Sequence, residues 1–306
     1  MNIYRNFEEA RGIRNPVVTT GSFDGVHIGH KTILSRLKML AEQYNGESVL
    51  ITFDPHPRKV LYPDTAGKDL QLINSHEEKL ELLSKAGLDN VIIIEFTREF
   101  SRITSEQFVR DFLHAILNVR VIVAGFNHHF GFNQEGDYKH LWTWQEKYNF
   151  YAEEIPGQEV QNETVSSTKI RKAVREGYIQ RANAYLDHYY IIKGSAGTVV
   201  NNTNDKLPPV YPVYVADECK LLPAPGIYAV SAEMDTYFSK TMLLIIMNND
   251  NKPELFVNFF EEFPVPPDSE LTLSFHKKIH GAFNLYDEKY TPRILSARDE
   301  INELIF

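Results

Sequence analysis

Short, wholly apolar runs alternate with amphipathic stretches through the first two thirds of the chain. Pro16-Val17-Val18-Thr19-Thr20, Ser48-Val49-Leu50-Ile51-Thr52-Phe53, Val91-Ile92-Ile93-Ile94 and Val121-Ile122-Val123-Ala124 read as buried strands. Between the first two, Ile33, Leu34, Leu37, Leu40 and Ala41 recur at helical spacing. Ser75-His76-Glu77-Glu78 has the form of a capping box and opens a helix that ends near Gly87. A further helix is predicted from Thr104 to Leu117, with Phe108, Phe112, Leu113 and Ile116 turned inward. Strands that are apolar on both faces, alternating with helices, predict a Rossmann-like α/β fold with a parallel sheet covered on both sides.

The pattern changes after two more helices, Ser167–Arg175 and Ile179–Leu186. From Tyr189 onward, short β-type runs are separated by polar and proline clusters such as Asn201-Asn202-Thr203-Asn204-Asp205 and Val265-Pro266-Pro267-Asp268. This predicts a small antiparallel β-barrel. A closing helix starts at Thr291-Pro292, with threonine as N-cap and proline in the first turn, and directs Ile294, Ala297, Ile301 and Leu304 inward. The expected organisation is two domains, 1–186 and 187–306, without repeats or low-complexity tracts.

Composition adds limits rather than detail. With 306 residues, 43% hydrophobic and 24% charged, the chain can bury two cores. Its single cysteine, Cys219, excludes an internal disulfide, suits a reducing cytoplasm and has no nucleophilic constellation around it. A net charge of −9 argues against a broad nucleic-acid surface, which needs clustered Lys and Arg. No signal peptide opens the chain, and the longest apolar run, Met242 to Met247, falls far short of the ~20 residues of a membrane span. A cytoplasmic protein working on small molecules is expected; the sequence is silent on oligomeric state.

Candidate chemistry concentrates where the first strand hands over to the first helix, at Gly21-Ser22-Phe23-Asp24-Gly25-Val26-His27-Ile28-Gly29-His30. Glycines let backbone N–H groups approach a ligand, and a helix start adds unpaired donors and a positive dipole end. His27 and His30, three residues apart, can reach one anion. The competing reading is a glycine turn with two surface histidines; a zinc pair lacks a third ligand at metal spacing. The segments at Gly21, Asp54 and Gly125 all follow predicted strands, so they should converge on the C-terminal rim of the sheet, where such folds bind ligands.

The ten-residue stretch resembles the H-x-G-H signature of the nucleotidyltransferase superfamily, in the G-x-F-D-G-V-H-x-G-H form of bacterial bifunctional riboflavin kinase/FAD synthetases. Three further segments stand in that family's order. Thr52-Phe53-Asp54-Pro55-His56-Pro57 matches T-F-D-P-H-P, Gly125 to Gly131 resembles G-x-[DN]-x-x-F-G, and Ser166-Ser167-Thr168-Lys169-Ile170-Arg171 is similar to S-S-T-x-I-R. The resemblance implies attack of the FMN phosphate on the α-phosphorus of ATP, giving FAD and pyrophosphate, with Mg²⁺ arriving on ATP. It implies His27, His30, Ser167 and Arg171 as catalytic, with Gly21, Ser22, Phe23, Gly29, Ser166 and Thr168 holding ATP. Asp54, His56 and Asn127 would line the flavin, and Phe126 or Phe130 could stack on it. His128, His129, Phe132 and Gln134 depart from what that turn often carries, which bears on substrate identity.

The second domain takes the place of the family's riboflavin kinase. Leu221 to Val230 resembles its L-L-P-x-x-G-V-Y-A-V strand, and Glu254 falls where an acidic base is expected. The P-T-A-N segment has no counterpart: Pro212-Val213-Tyr214-Val215 puts valines where threonine and asparagine hold Mg²⁺ and phosphate, and an aliphatic side chain cannot ligate a hard cation. The kinase half therefore reads as lost, and Glu254 as an ordinary strand residue. Two functions follow: an FAD synthetase with an inactive kinase-like domain, or a non-catalytic flavin-nucleotide-binding paralogue with a regulatory or interaction role. The retained His27, His30, Ser167 and Arg171 favour the enzyme.

Overall fold

The apolar runs form a parallel sheet. The computed structural model describes residues 1–160, 163–200, 209–261, 265–266, 268–283 and 288–304. Strands β1 (Asn2–Tyr4), β2 (Val17–Thr20), β3 (Ser48–Asp54), β4 (Asn90–Glu95), β5 (Val121–Gly125) and β6 (Tyr151–Ile155) pair in the order β1-β4-β3-β2-β5-β6, every neighbouring pair parallel. The chain steps outward from β2 through β3 and β4, then returns to lay β5 on the other side of β2. That reversal makes the gap between β2 and β5 the switch point of the sheet.

Both faces are covered, which is why the strands carry no polar alternation. One face buries Val18, Ile51, Ile92 and Ile122 with Phe7, Phe108 and Leu113. On the other, Val17, Leu50, Val91 and Val123 meet helix α1 (Ile28–Gln43), whose Leu34, Leu37, Leu40 and Ala41 are buried. Helices α2 (Pro57–Leu61) and α3 (His76–Lys85) follow β3. The predicted capping box at Ser75 is present: Glu78 N–H donates to Ser75 Oγ at 3.2 Å, and Ser75 N–H to Glu78 Oε2 at 2.9 Å.

The helix expected over Thr104–Leu117 differs in its winding. Thr104 caps a short α4 (Ser105–Gln107) through a full capping box with Gln107, and Phe108–His114 then continues as π-helix. The inward face is the predicted one: Phe108, Leu113 and Leu117 are buried in one cluster, with Phe112 and Ile116 packed against it.

After α5 (Tyr138–Trp144), a two-stranded ribbon of β7 (Glu159–Val160) and β8 (Glu163–Thr164) leads to α6 (Ser167–Glu176) and α7 (Ile179–Leu186). Strands β9 (Tyr190–Ala196), β10 (Tyr211–Tyr214), β11 (Gly226–Met234), β12 (Tyr237–Met247), β13 (Pro253–Phe259) and β14 (Glu270–His280) close into a barrel in the order β10-β13-β12-β11-β14-β9. Helix α8 (Thr291–Leu304) buries Ile294, Ala297 and Ile301 against Ile227, Ala229, Met242 and Leu244. Leu304, expected inward, is 37% exposed because it ends the helix beyond the barrel contact. The Asn201–Asp205 cluster and Pro267 lie outside the described residues.

The chain divides into two compact units, Met1–Leu70 with Lys79–Val165, and Gln71–Glu78 with Ser166–Phe306. Within the second, Lys220 is wholly buried and its Nζ donates to Glu78 Oε2 at 2.6 Å, Ile73 O at 2.5 Å and Ile191 O at 2.7 Å. Glu78 accepts from Lys193 N–H on its other oxygen at 2.9 Å. A buried pair satisfied this fully ties the segment before α3 to the barrel.

Candidate functional site

The turn leaving β2 is strained and rigid. Phe23 (φ 48°) and Val26 (φ 40°) occupy the left-handed region, which a β-branched valine rarely enters. Both side chains are buried in the core beside α1, which holds the conformation in place. The turn delivers His27 as N-cap of α1, its Nδ1 accepting from His30 N–H at 3.4 Å. In a neutral ring that leaves Nε2 as the donor. Gly29 makes the room: a Cβ there would stand 3.3 Å from the His27 ring.

His30 is sandwiched between two rings, His27 at 3.6 Å and 15° and Phe23 at 4.3 Å and 21°. Burial, then the neighbouring His27 and Lys79 charges, pull its pKa well below the ordinary imidazole value, so the ring is neutral. Its Nδ1 is buried with no hydrogen-bond partner among the described residues. The pair thus offers imidazole groups to an anion without mutual charge repulsion.

Lys79, which the sequence reading missed, completes this corner. It donates from Nζ to Thr52 Oγ1 at 3.3 Å, and Thr52 Oγ1 donates to Ser22 O at 3.4 Å. Burial lowers its pKa while Asp24 and Asp54 act in the opposite direction. In the sequence it is one charge in a polar helix start, and only packing against β3 distinguishes it.

A cavity of about 510 Å³ opens at the switch point between β2 and β5, lined by Thr20, Gly21, Ser22 and His56 on one side. Phe53, Phe96, Phe100, Phe108, Phe130 and Phe132, with Tyr62, supply the rest of an aromatic wall. His128 crosses the switch point, its Nε2 2.8 Å from Thr20 Oγ1. Burial and, less, His129 bring its pKa down to about 4. Phe132 and Gln134 also line the cavity. His56 caps α2, its Nδ1 accepting from Arg58 N–H at 3.2 Å. Asp54, joined to Pro55 by a cis peptide, and Asn127 are exposed and are not among the lining residues. Phe126 is 61% exposed, whereas Phe130 reaches the cavity.

The motifs at Gly21, Asp54 and Gly125 therefore meet at one rim of the first unit. Ser166, Ser167, Thr168 and Arg171 belong to the second. There Ser166 is the N-cap of α6, accepting from Lys169 N–H at 3.4 Å, and Ser167 and Thr168 form its first turn. Arg171 is buried, and its Nε donates to Gln71 O at 3.0 Å. It is not a solvated helix charge. In the barrel, Val213 is buried and Glu254 accepts from Asn248 Nδ2 at 3.1 Å.

Comparison with known proteins agrees with this geometry. The model of the FAD synthetase family matches residues 10–169. A bifunctional riboflavin kinase/FMN adenylyltransferase of Listeria monocytogenes is 30% identical over 269 residues, 87% of this chain and 81% of its own. One from Bacillus subtilis is 29% identical over 87% of this chain and 80% of its own. A Listeria monocytogenes FAD synthetase is 34% identical over 59% of this chain and 72% of its own. Among solved structures, one described as a macrolide-efflux protein from Streptococcus pneumoniae superposes over the whole of both chains with a TM-score of 0.88 at 21% identity, a likeness of fold alone.

Proposed function

The chain belongs to the FAD synthetase family, and from that premise we propose that it transfers the adenylyl group of ATP to the phosphate of FMN, releasing pyrophosphate. The observation that carries this reading is the aromatic cavity of about 510 Å³ opening on the Gly21-Ser22 turn beside the His27–His30 stack. A flat tricyclic ring fits walls of phenylalanine, and its phosphate tail would then face the donors of the turn. Nucleotidyl transfer needs little beyond alignment and charge stabilisation at the oxygens of the α-phosphorus and leaving group. His27 and His30 would donate hydrogen bonds to the triphosphate, and Lys79 would steady the incoming FMN phosphate. The motif assigns the β- and γ-phosphates to Ser166, Ser167 and Thr168 and the leaving pyrophosphate to Arg171. Gly21, Ser22, Phe23 and Gly29 shape the ATP side and His56 the flavin side, while the motif assigns Asp54 and Asn127, which stand outside the cavity lining, to the flavin as well. Mg²⁺ enters as the ATP complex.

The test is incubation of the full chain with FMN and Mg·ATP, followed by chromatography. FAD should form with pyrophosphate, and His30→Ala should lower the rate by about a hundredfold with its melting temperature retained. A wild-type rate in the folded variant removes His30 from the mechanism. FMN binding without any FAD would instead support a flavin-nucleotide-binding module. Riboflavin phosphorylation is absent in this reading, supported by Val213 and Val215 in the place of oxygen ligands and by the Asn248 contact that engages Glu254.

A further inference from the structure

A second hollow of about 510 Å³ lies wholly within the barrel unit, between the α6–α7 junction and the end of β14. It shares no residue with the aromatic cavity. Three basic groups line it: Arg181, Lys278 and His280. The acidic lining residue, Glu176, is already 4.0 Å from Lys172 Nζ.

Two glycines leave the space that the Lys278 stem occupies: a Cβ on Gly177 would fall 2.6 Å from its Cδ, and one on Gly226 would fall 2.7 Å from its Cε. Gly177, at φ 80°, is the left-handed cap of α6, so this space is built into the helix turn itself. The ammonium sits 5.6 Å over the Tyr228 ring and has no hydrogen-bond or ion-pair acceptor among the described residues. Arg181 faces the same hollow, steadied by its Nε bond to Tyr185 Oη at 2.7 Å. Burial depresses the basicity of Lys278, and burial with the Arg293 charge depresses that of His280 against the opposing pull of Glu300.

Two further features define the ligand. Helix α7 begins at Ile179 with no side-chain cap from Tyr178, and the Ile179 and Gln180 N–H groups meet no acceptor among the described residues. Tyr178, 59% exposed, lines the hollow together with Ile179 and Ile279. The cations and N–H groups call for an anion, and the exposed ring calls for a flat partner.

We propose that this hollow binds an organic phosphate carrying a planar ring, of the size of a nucleoside monophosphate, with its phosphate on Lys278, Arg181 and the first turn of α7 and its ring on Tyr178. The assignment rests on residues of the barrel unit alone, so it stands whether or not the adenylyl-transfer reading holds.

Titration calorimetry of the full chain with AMP, inorganic phosphate and adenosine as separate probes tests it, in a His30→Ala background to weaken binding at the first cavity. AMP should bind there, phosphate about tenfold more weakly, and adenosine more weakly still. Lys278→Met and Arg181→Gln should each weaken AMP by about tenfold or more while their melting temperatures and FAD formation in the otherwise wild-type chain stay unchanged. AMP affinity unaffected in both folded variants overturns the site, as does the absence of AMP binding in the His30→Ala background. Equal affinity for phosphate and AMP overturns the planar-ring assignment in favour of free phosphate.

Discussion

His128 shows how far a single side chain can depart from its solution behaviour. Its ordinary pKa of 6.5 falls to about 4 in the folded chain through burial, so on acidification the unfolded chain takes up the proton first. Stability is therefore full above pH 6.5 and declines as pH falls toward 4, by about 3 kcal/mol for this group alone. His128→Gln should keep a hydrogen bond to Thr20 and flatten that decline, read by urea unfolding at pH 7 and pH 4.5. An identical decline in the variant would place the effect elsewhere. Lys79 is the other residue whose environment outweighs its type. Lys79→Met should cut adenylyl transfer by about tenfold or more and raise KM for FMN more than for ATP, with Lys79→Arg recovering part. Equal KM changes for both substrates would reduce Lys79 to a counterion for Asp24 and Asp54. Lys79 did not stand out in the sequence, and His128 stood out only as an unusual residue for its turn, because what sets both apart is the loss of water around them, and a linear string carries no record of that. His27 and His30 were legible because glycine spacing and a strand-to-helix handover are local.

At the scale of elements, the buried runs announced themselves and the edges did not. β2, β3, β4 and β5 are apolar on both faces, whereas β6 reads Tyr-Ala-Glu-Glu-Ile and β1 is three largely exposed residues, so neither carried a strand signal. The Ser75 capping box was readable from four residues. Its glutamate also takes the Lys220 charge, and that was not, since Lys220 lies 142 positions away. Breaking this pair by removing one partner leaves a buried carboxylate uncompensated. Lys220→Met should destabilise the barrel unit by about 3–5 kcal/mol, and adding Glu78→Gln should restore much of it. Urea unfolding of the single and double variants decides this; additive losses would show that the two side chains act independently.

For the molecule as a whole, the sequence made a parallel sheet and an antiparallel barrel legible through the change near Tyr189 from alternating apolar runs and helices to short β-type runs separated by polar and proline clusters. The barrel's role is harder to read, because what speaks against kinase chemistry there is two valines in place of oxygen ligands rather than a motif. Full-length protein given riboflavin and Mg·ATP should yield no FMN above background while FMN still yields FAD. Robust FMN formation would mean that oxygen ligands elsewhere in the barrel unit stand in for those that Val213 and Val215 cannot supply. The route of the chain carries a last consequence. It passes from one unit to the other inside α3, between Glu78 and Lys79, as well as near residues 70 and 165. A stop codon after the first unit would therefore not release a self-sufficient piece: it would delete Lys220 and strand Glu78, the acid at the mouth of the helix that carries Lys79. A gene shortened to the transferase alone would have to rewrite residues 71–78 at the same time, which makes the paired architecture costly to shed even if one half has ceased to catalyse.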